Sequence, residues 1–229
     1  YFDLAITNVP FADNYMAVDP SIAKKYDFVK RSLHNYYFAK AEQQVRPGGV
    51  VAFITSRYTM DSPSAQRVRQ YLDQRYDFLG ATRLPETAFK GNANTEVVTD
   101  VIFLRKRTPG QPKANVAPWV ETGKQEIRVN TWTTTTHDVN QYFLQHPEMV
   151  LGRPQATGTM YERNAYTVVA NPDEPLETAL ARALEAMPAN VIEPRDAAET
   201  VGNFTPVANA GRPGYRMHGG RLKLVRNNS

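Results

Sequence analysis

The feature that most constrains this chain is an apolar stretch, residues 2–7, that ends abruptly at Asn8-Val9-Pro10-Phe11. A short apolar run closed by a polar residue and a proline predicts a buried strand. Pro10 has a fixed φ and disfavours helical geometry at Val9, so the turn is stiff. Asn8 then lies at the carboxyl end of the strand, where open α/β sheets bind ligands. An amide beside an aromatic ring can hold a flat, hydrogen-bonding ligand such as a nucleobase; the alternative is an ordinary strand-end turn.

Helices and strands alternate after this stretch. Residues 22–45 have apolar side chains at helical spacing and end at Arg46-Pro47-Gly48-Gly49, a strong helix stop. Residues 50–55 form a continuous apolar run, as in strands that are covered on both faces. Together these segments predict one right-handed βαβ unit. The pattern repeats with a helix from Ser62 or Ser64 to about residue 76 and a strand over residues 78–84.

The last strand of this region, residues 97–105, has no helix before it. The loop over residues 85–95 is too short for a right-handed parallel crossover, so this strand should run antiparallel to its neighbour. The predicted fold class is α/β, a partial Rossmann-like sheet that is mostly parallel with a final antiparallel strand, over residues 1–107. S-adenosylmethionine-dependent methyltransferases use this arrangement.

The composition changes beyond residue 107. We predict a mixed α+β extension over residues 108–189, and a flexible segment with a terminal hairpin over residues 190–229. The patterns predict a hairpin over residues 119–132, a β-prone run at 133–136, a helix over 139–146, strands over 149–152 and 166–170, a helix over 175–187, and a hairpin over 215–225. Residues 190–214 are rich in Pro, Gly, Asn and Ala and are predicted to be mobile.

Composition excludes several classes of protein and site. Hydrophobic residues make up 41% and charged residues 22% of the 229, which supports a packed core. The chain has no cysteine, so disulfides and thiolate chemistry are excluded, and its four histidines lack a metal-ligand spacing. No apolar run approaches the roughly 18–20 residues of a membrane helix, so we expect a cytoplasmic protein with no membrane partner. The net charge of +4 permits a polyanionic partner.

Asn8-Val9-Pro10-Phe11, after its apolar strand, resembles the catalytic Asn-Pro-Pro-Tyr/Phe motif of N6-adenine DNA methyltransferases. Residues 47–55 are similar to the next segment of that fold, and residues 95–106 are similar to the last strand of modification subunits in type I restriction systems. The likeness extends to large phage and mobile-element proteins that join such a methylase to a helicase. In those, segments similar to residues 139–152 and 215–222 follow the methylase core. The resemblance covers mainly residues 1–107.

The resemblance implies a role for each residue of the motif. The Asn8 side chain and the Val9 carbonyl would accept hydrogen bonds from the amine of a flipped adenine, and Phe11 would stack on its ring. Val9 stands where the family usually has its first proline. Without the proline ring the turn is less rigid at this position. Valine has the same main-chain carbonyl, so the hydrogen-bonding capacity is kept. Pro10 corresponds to the second proline of the motif.

The cofactor implied by the resemblance is S-adenosylmethionine. The family binds it through a Gly-rich loop and an acidic residue on strands before the catalytic motif, so we expect its site upstream of Tyr1. Gly48-Gly49 precedes a strand instead of following one and does not fit a nucleotide loop. We therefore expect a fragment that is inactive alone and is completed by a missing N-terminal half and a fused helicase. A sheet cut beside its first strand should also expose an edge for self-association.

Five further residues are candidates for contacts to DNA. Phe89 stands where related enzymes carry a second aromatic against the target base, or it anchors the root of its loop in the core. Arg57, Tyr58 and Lys90, together with Arg83, follow or end predicted strands and could meet phosphates. Solvated surface charge is the alternative explanation.

The lead hypothesis is part of a DNA adenine-N6 methyltransferase. The alternative from another class is a non-catalytic DNA-binding or scaffolding module of a phage or mobile-element protein. A third hypothesis is a Rossmann-like enzyme of different chemistry.

Overall fold

A four-stranded sheet carries the first half of the chain. The computed structural model describes residues 1–10, 22, 33–90, 97–114, 118–158, 164–194, 214–218 and 221–225, the last two as backbone. The chain divides into two units, Tyr1–Glu193 and Pro194–Ser229. The elements around the sheet are β1 (Phe2–Asn8), α1 (Leu33–Gln44), β2 (Val45–Ser56), α2 (Tyr58–Asp61), a 3-10 turn (Pro63–Ala65), α3 (Gln66–Asp73), β3 (Tyr76–Leu84) and β4 (Thr99–Lys106).

The strand order is β1-β2-β4-β3. Strands β1 and β2 are parallel, and β4 runs antiparallel to both β2 and β3. The predicted antiparallel direction of the last strand is therefore confirmed. The prediction of a mostly parallel sheet holds for strand direction, because β1, β2 and β3 all run the same way. It does not hold for strand pairing, because β4 lies between β2 and β3 and only one of the three pairs is parallel.

Strand β2 begins earlier than the sequence pattern predicts. The Pro47-Gly48-Gly49 segment does not separate a helix from a strand but lies inside β2, where the register against β1 slips between Phe2↔Val45 and Leu4↔Val50. Gly48 has φ +74°, and a Cβ there would come 2.7 Å from the Glu193 Cβ. The glycine is thus required by both backbone conformation and space. The predicted helix over residues 22–45 appears as α1 from Leu33; residues 23–32 lie outside the described part.

The core forms around the two central strands. Phe53 of β2 packs on Phe38 of α1 with ring centroids 5.1 Å apart, and Phe78 of β3 stacks on Trp119 at 4.8 Å with 10° between the planes. On β4, Ile102 and Leu104 are fully buried. Both central strands, β2 and β4, have neighbours on each side and buried side chains. This burial is the reason that their sequences are continuous apolar runs.

The chain beyond the sheet, predicted as an extension over residues 108–189, lies within the first unit. Its elements are β5 (Thr122–Asn130), β6 (Thr133–Asn140), α4 (Gln141–Gln145), a 3-10 turn (Pro147–Met149), β7 (Arg153–Gly158), β8 (Ala165–Val169) and α5 (Leu176–Glu185). Strands β9 (Gly214–His218) and β10 (Arg221–Val225) form the predicted terminal hairpin in the second unit. No helix among the described residues is both long and apolar enough to span a membrane.

Several predicted boundaries in this region are wrong. The hairpin runs from Thr122 to Asn140, not over residues 119–132, because Trp119 belongs to the core and Trp132 lies in the turn. Val139 and Asn140 end β6 and are not helical. The strand expected at 149–152 is reduced to one bridge between Val150 and Arg83. On α5, Ala179 and Ala183 are buried, but Leu184 is exposed. The mobility predicted for residues 190–214 falls mostly outside the described residues.

Candidate functional site

The motif at the end of β1 forms a fixed turn with an exposed amide. Asn8 pairs with Ile54 of β2, and the Val9 N–H donates to the Ile54 carbonyl at 3.0 Å, which continues the parallel ladder one residue beyond the strand. Asn8 is exposed, and its side chain makes no hydrogen bond to any residue of the described ranges. A carboxamide that the described residues leave unpaired is thus held at the carboxyl end of β1.

Val9 is fixed by packing. Its side chain is only 1% exposed and belongs to the hydrophobic core, while Pro10 is exposed. Where the resembled motif has a proline ring, this chain has an aliphatic side chain that is buried in the core. The valine therefore positions its carbonyl through burial and through the hydrogen bond of its N–H. Phe11 lies outside the described residues.

We define the carboxyl rim as residues 8–10, 56–61, 83–90 and 98–100, which lie where β1, β2 and β3 end and β4 begins. Arg57 and Tyr58 contact each other here, with the Arg57 guanidinium carbon 4.4 Å from the Tyr58 ring centroid. Arg57 Nη1 also pairs with Asp61 Oδ2 at 3.1 Å. The Arg57 guanidinium is thus held by Asp61, whereas the Tyr58 side chain remains 37% exposed.

A buried ion cluster lies within the rim and is formed by Arg57, Asp61, Arg83 and Asp100. Arg83 donates from Nε to Asp100 Oδ1 at 2.8 Å and from Nη2 to Asp100 Oδ2 at 2.9 Å, a bidentate pair. The same Nη2 donates to Asp61 Oδ1 at 2.8 Å. Arg83 and Asp100 are fully buried, so the sequence-based suggestion that Arg83 could meet phosphates is wrong.

Burial and charge act against each other in this cluster. Burial alone would lower the pKa of Arg83, but Asp100 and Asp61 outweigh it and raise that pKa well above its usual value. For Asp100, burial is the largest effect and raises the pKa of its carboxyl group, although Arg83 opposes the rise. Burial likewise raises the pKa of the nearby Tyr166 phenol. Charges paired in this way are costly to separate.

The same cluster joins the later part of the chain to the rim. The Asn140 N–H donates to Asp61 Oδ1 at 2.9 Å, and the Asn140 side-chain amide donates to the carbonyls of Met60 and Trp119 at 2.8 and 2.7 Å. The Arg83 guanidinium carbon lies 4.3 Å from the Phe143 ring centroid. The β5–β6 hairpin and α4 are thereby held against the helix that follows β2.

Phe89 and Lys90 lie at the far side of the sheet from Asn8. They end a turn in which the Ala88 N–H donates to the Pro85 carbonyl and the Lys90 N–H donates to the Thr87 carbonyl. Phe89 is half-buried against the core, and Lys90 is exposed. Strands β1 and β3 are separated by two others, which places their ends roughly 14 Å apart. The rim contains all the described candidates, and Arg57 and Tyr58 contact each other there.

Sequence reasoning missed the pairing of Asp61, Arg83 and Asp100. A signal was present, because Arg83 and Asp100 interrupt predicted apolar strands, and a charge in such a strand is seldom buried without a partner. The partners are 17 and 22 residues apart, so no local spacing identifies them.

Gly48 and Gly49 do not form a cradle for a nucleotide-like cofactor. A Cβ at Gly49 would come 2.7 Å from Val45 Cγ1, and the space above Gly48 is filled by Glu193, so the protein itself occupies the room beside both glycines. The described part of the chain also contains no group of three or more His, Cys, Asp or Glu residues that could hold a metal ion.

No protein-family model matches the chain. It is 32% identical over 107 residues to the defense against restriction protein B of Escherichia phage P1; the match covers 46% of this chain and 4% of that protein. The chain thus spans a small fraction of the length of this curated relative.

Three solved structures are similar at TM-scores below 0.5. A protein of Listeria monocytogenes described as a class I S-adenosylmethionine-dependent methyltransferase gives 0.41 at 18% identity, over 50% of this chain and 34% of that one. A chain from Vibrio vulnificus described as a type I restriction modification subunit gives 0.40 at 19%, over 47% and 23%. The M protein of the type I restriction enzyme EcoKI gives 0.38 at 12%, over 80% and 46%.

Proposed function

We propose that this chain supplies the target-adenine side of a DNA adenine-N6 methyltransferase. The observation that carries the proposal is the exposed Asn8 amide on a turn fixed by the Val9 N–H and the buried Val9 side chain. The Asn-x-Pro-Phe motif supports it, as does an α/β sheet in which the antiparallel strand β4 lies between β2 and β3. The match to a phage protein named for defense against restriction is consistent with an action on DNA.

The chemistry assigned to these residues is recognition and orientation of the base. Asn8 Oδ1 and the Val9 carbonyl accept hydrogen bonds from the exocyclic amine of an adenine turned out of the duplex, which orients its lone pair. Phe11 is proposed to hold the ring by stacking, and Phe89, which follows β3 at the other side of the rim, is proposed to contact a neighbouring base. Tyr58, Lys90 and Arg57 are proposed to contact the backbone around the displaced nucleotide, with Arg57 limited by its pair with Asp61.

The methyl donor of such an enzyme is S-adenosylmethionine. Gly48 and Gly49 leave no room for it, and the role proposed for this chain ends with holding the amine. The proposal therefore includes a cofactor-binding partner segment, a cytoplasmic setting and a chain that is inactive alone. A fused helicase is part of the same hypothesis.

The test is methyl transfer to duplex DNA by the full-length protein that carries this sequence, measured with labelled S-adenosylmethionine. We expect Asn8→Ala to reduce transfer on the order of a hundredfold, because a hydrogen bond to the reacting group is lost. Asn171→Ala is the matched control, since Asn171 is an asparagine of the chain surface that accepts from Arg153. Transfer by Asn8→Ala at the control rate would overturn the proposal.

The second candidate function is a non-catalytic DNA-binding or scaffolding module. Calorimetry distinguishes the two functions. A full-length protein that binds DNA but shows no heat of binding with S-adenosylmethionine is a binding module.

A further inference from the structure

The β5–β6 hairpin presents a tryptophan to solvent. The two strands are joined by Thr131 and Trp132, and Trp132 is 93% exposed. The only other tryptophan of the chain, Trp119, is fully buried. Because tryptophan is a large apolar side chain that proteins mostly bury, full exposure at a turn indicates a contact surface.

The hairpin is rigid at its tip and at its base. The Trp132 N–H donates to Asn130 Oδ1 at 2.9 Å, which closes the turn. At the base, the Gln141 N–H donates to the Glu121 carbonyl at 2.9 Å, and Asn140 binds to Asp61 and Met60 behind the carboxyl rim. Eight residue steps separate the base from the turn, so the tip lies roughly 27 Å from its anchor.

The chemistry of the tip fits a nucleic acid. From Ile127 to His137 the hairpin contains no carboxylate, and it carries Arg128 and a run of threonines. Arg128 is exposed, and no acidic side chain in the described ranges pairs with it. Thr133, Thr134 and Thr136 are also exposed, and hydroxyl groups of this kind donate to phosphate oxygens.

We infer that the tip of this hairpin enters the major groove of duplex DNA, with Trp132 against the bases and Arg128 on the phosphate backbone. A major groove about 12 Å wide admits a two-stranded ribbon, whereas the deep, narrow groove of A-form RNA does not. The inference rests on the DNA partner of the proposed function. It adds a DNA-reading element that is separate from Asn8 and anchored to the rim by Asn140.

Direct binding tests this assignment. Affinity of the full 229-residue chain for a labelled DNA duplex is measured by fluorescence anisotropy across salt concentrations. We expect Trp132→Ala to weaken binding at least about fivefold with an unchanged salt slope, because a base contact releases no counterions. Arg128→Ala should reduce the slope by about one. Arg182→Ala is the matched control, since Arg182 is a half-exposed arginine already paired with Glu174.

Intrinsic fluorescence adds a readout from the tip itself. DNA should shield Trp132 from acrylamide quenching, while the buried Trp119 reports no change, and Trp132→Phe should abolish the response. Double-stranded RNA should compete poorly. Equal affinities of wild type and Trp132→Ala, or no binding of DNA by the wild-type chain, overturn the inference. If acrylamide quenching of Trp132 changes with protein concentration but not with DNA, the inference is also overturned, and Trp132 then contacts another protein chain. These outcomes leave the Asn8 transfer test unaffected, so the two failures are distinguishable.

Discussion

At the scale of the residue, Arg83 is the side chain with the most consequence for stability. It is fully buried and binds two carboxylates, Asp100 and Asp61, that have no exposure of their own. These ion pairs are formed in a region of low dielectric constant. An ion that loses its partner there still carries the full desolvation penalty of burial. This residue therefore supports the rim without touching the proposed ligand.

We expect Arg83→Met to lower the free energy of unfolding by about 3–5 kcal/mol, because the buried Asp100 loses its counter-ion and Asp61 keeps only Arg57. Urea unfolding followed by circular dichroism measures the loss. The control is Arg153→Ala, which breaks the exposed Arg153–Asp173 pair and should cost no more than about 1 kcal/mol. Similar losses in the two variants would contradict the role given to the buried ion cluster.

At the scale of the element, one asparagine connects the β5–β6 hairpin to the sheet. Asn140 ends β6, caps α4 by accepting from the Tyr142 N–H, and donates to two buried carbonyls. The hairpin and the helix after β2 are thus joined by a few hydrogen bonds, all of which are buried.

We expect Asn140→Ala to destabilise the chain by about 3 kcal/mol, because a helix cap is lost and two buried carbonyls are left without donors. Asn171→Ala, on the surface, should change stability by less than about 0.5 kcal/mol. Hydrogen exchange supplies the specific readout: amides of β5 and β6 should lose protection before those of β2 and β4. Uniform loss of protection would contradict a local anchoring role.

The elements that local signals specify were predictable. The strand before Asn8, the parallel pairing of β1 with β2 and the antiparallel β4 follow from apolar runs, connection lengths and turn residues. The insertion of β4 between β2 and β3 was not predictable, since sequence order does not state which edge a strand joins. The full hairpin was missed because polar residues with high β propensity, Thr133 to Thr136, form a strand only where a partner strand exists.

The site shows the same division. Asn8, Val9 and Pro10 were identified from a contiguous motif, and Arg57 and Tyr58 from their position after a strand. The ion cluster was missed because its members meet only in the folded sheet. Asn140 and Asp61 are 79 residues apart, so no window of sequence joins them.

At the scale of the whole molecule, β1 lies at the edge of the sheet with apolar side chains in solvent. Phe2, Leu4 and Ile6 are 62%, 46% and 73% exposed, and in the described part of the sheet β1 pairs only with β2. An edge strand of this kind is a template for pairing with another chain.

We expect the chain to self-associate through β1 as its concentration rises. Ile6→Lys should shift the equilibrium toward monomer, because a charged side chain on an edge strand opposes pairing. Sedimentation velocity at several concentrations measures the effect. Lys124→Ala, on an exposed part of β5, serves as the control and should leave the equilibrium unchanged. A wild-type chain that stays monomeric throughout the series would contradict this expectation.

The position of β4 also determines the order in which the sheet can assemble during synthesis. Strands β1, β2 and β3 leave the ribosome first, but β3 has no partner in the sheet until residues 99–106 are made. Pairing of β2 with β3 in the interim would occupy the place of β4 and would have to be undone. Docking of β3 onto the sheet therefore waits until residues 99–106 are available to pair with it.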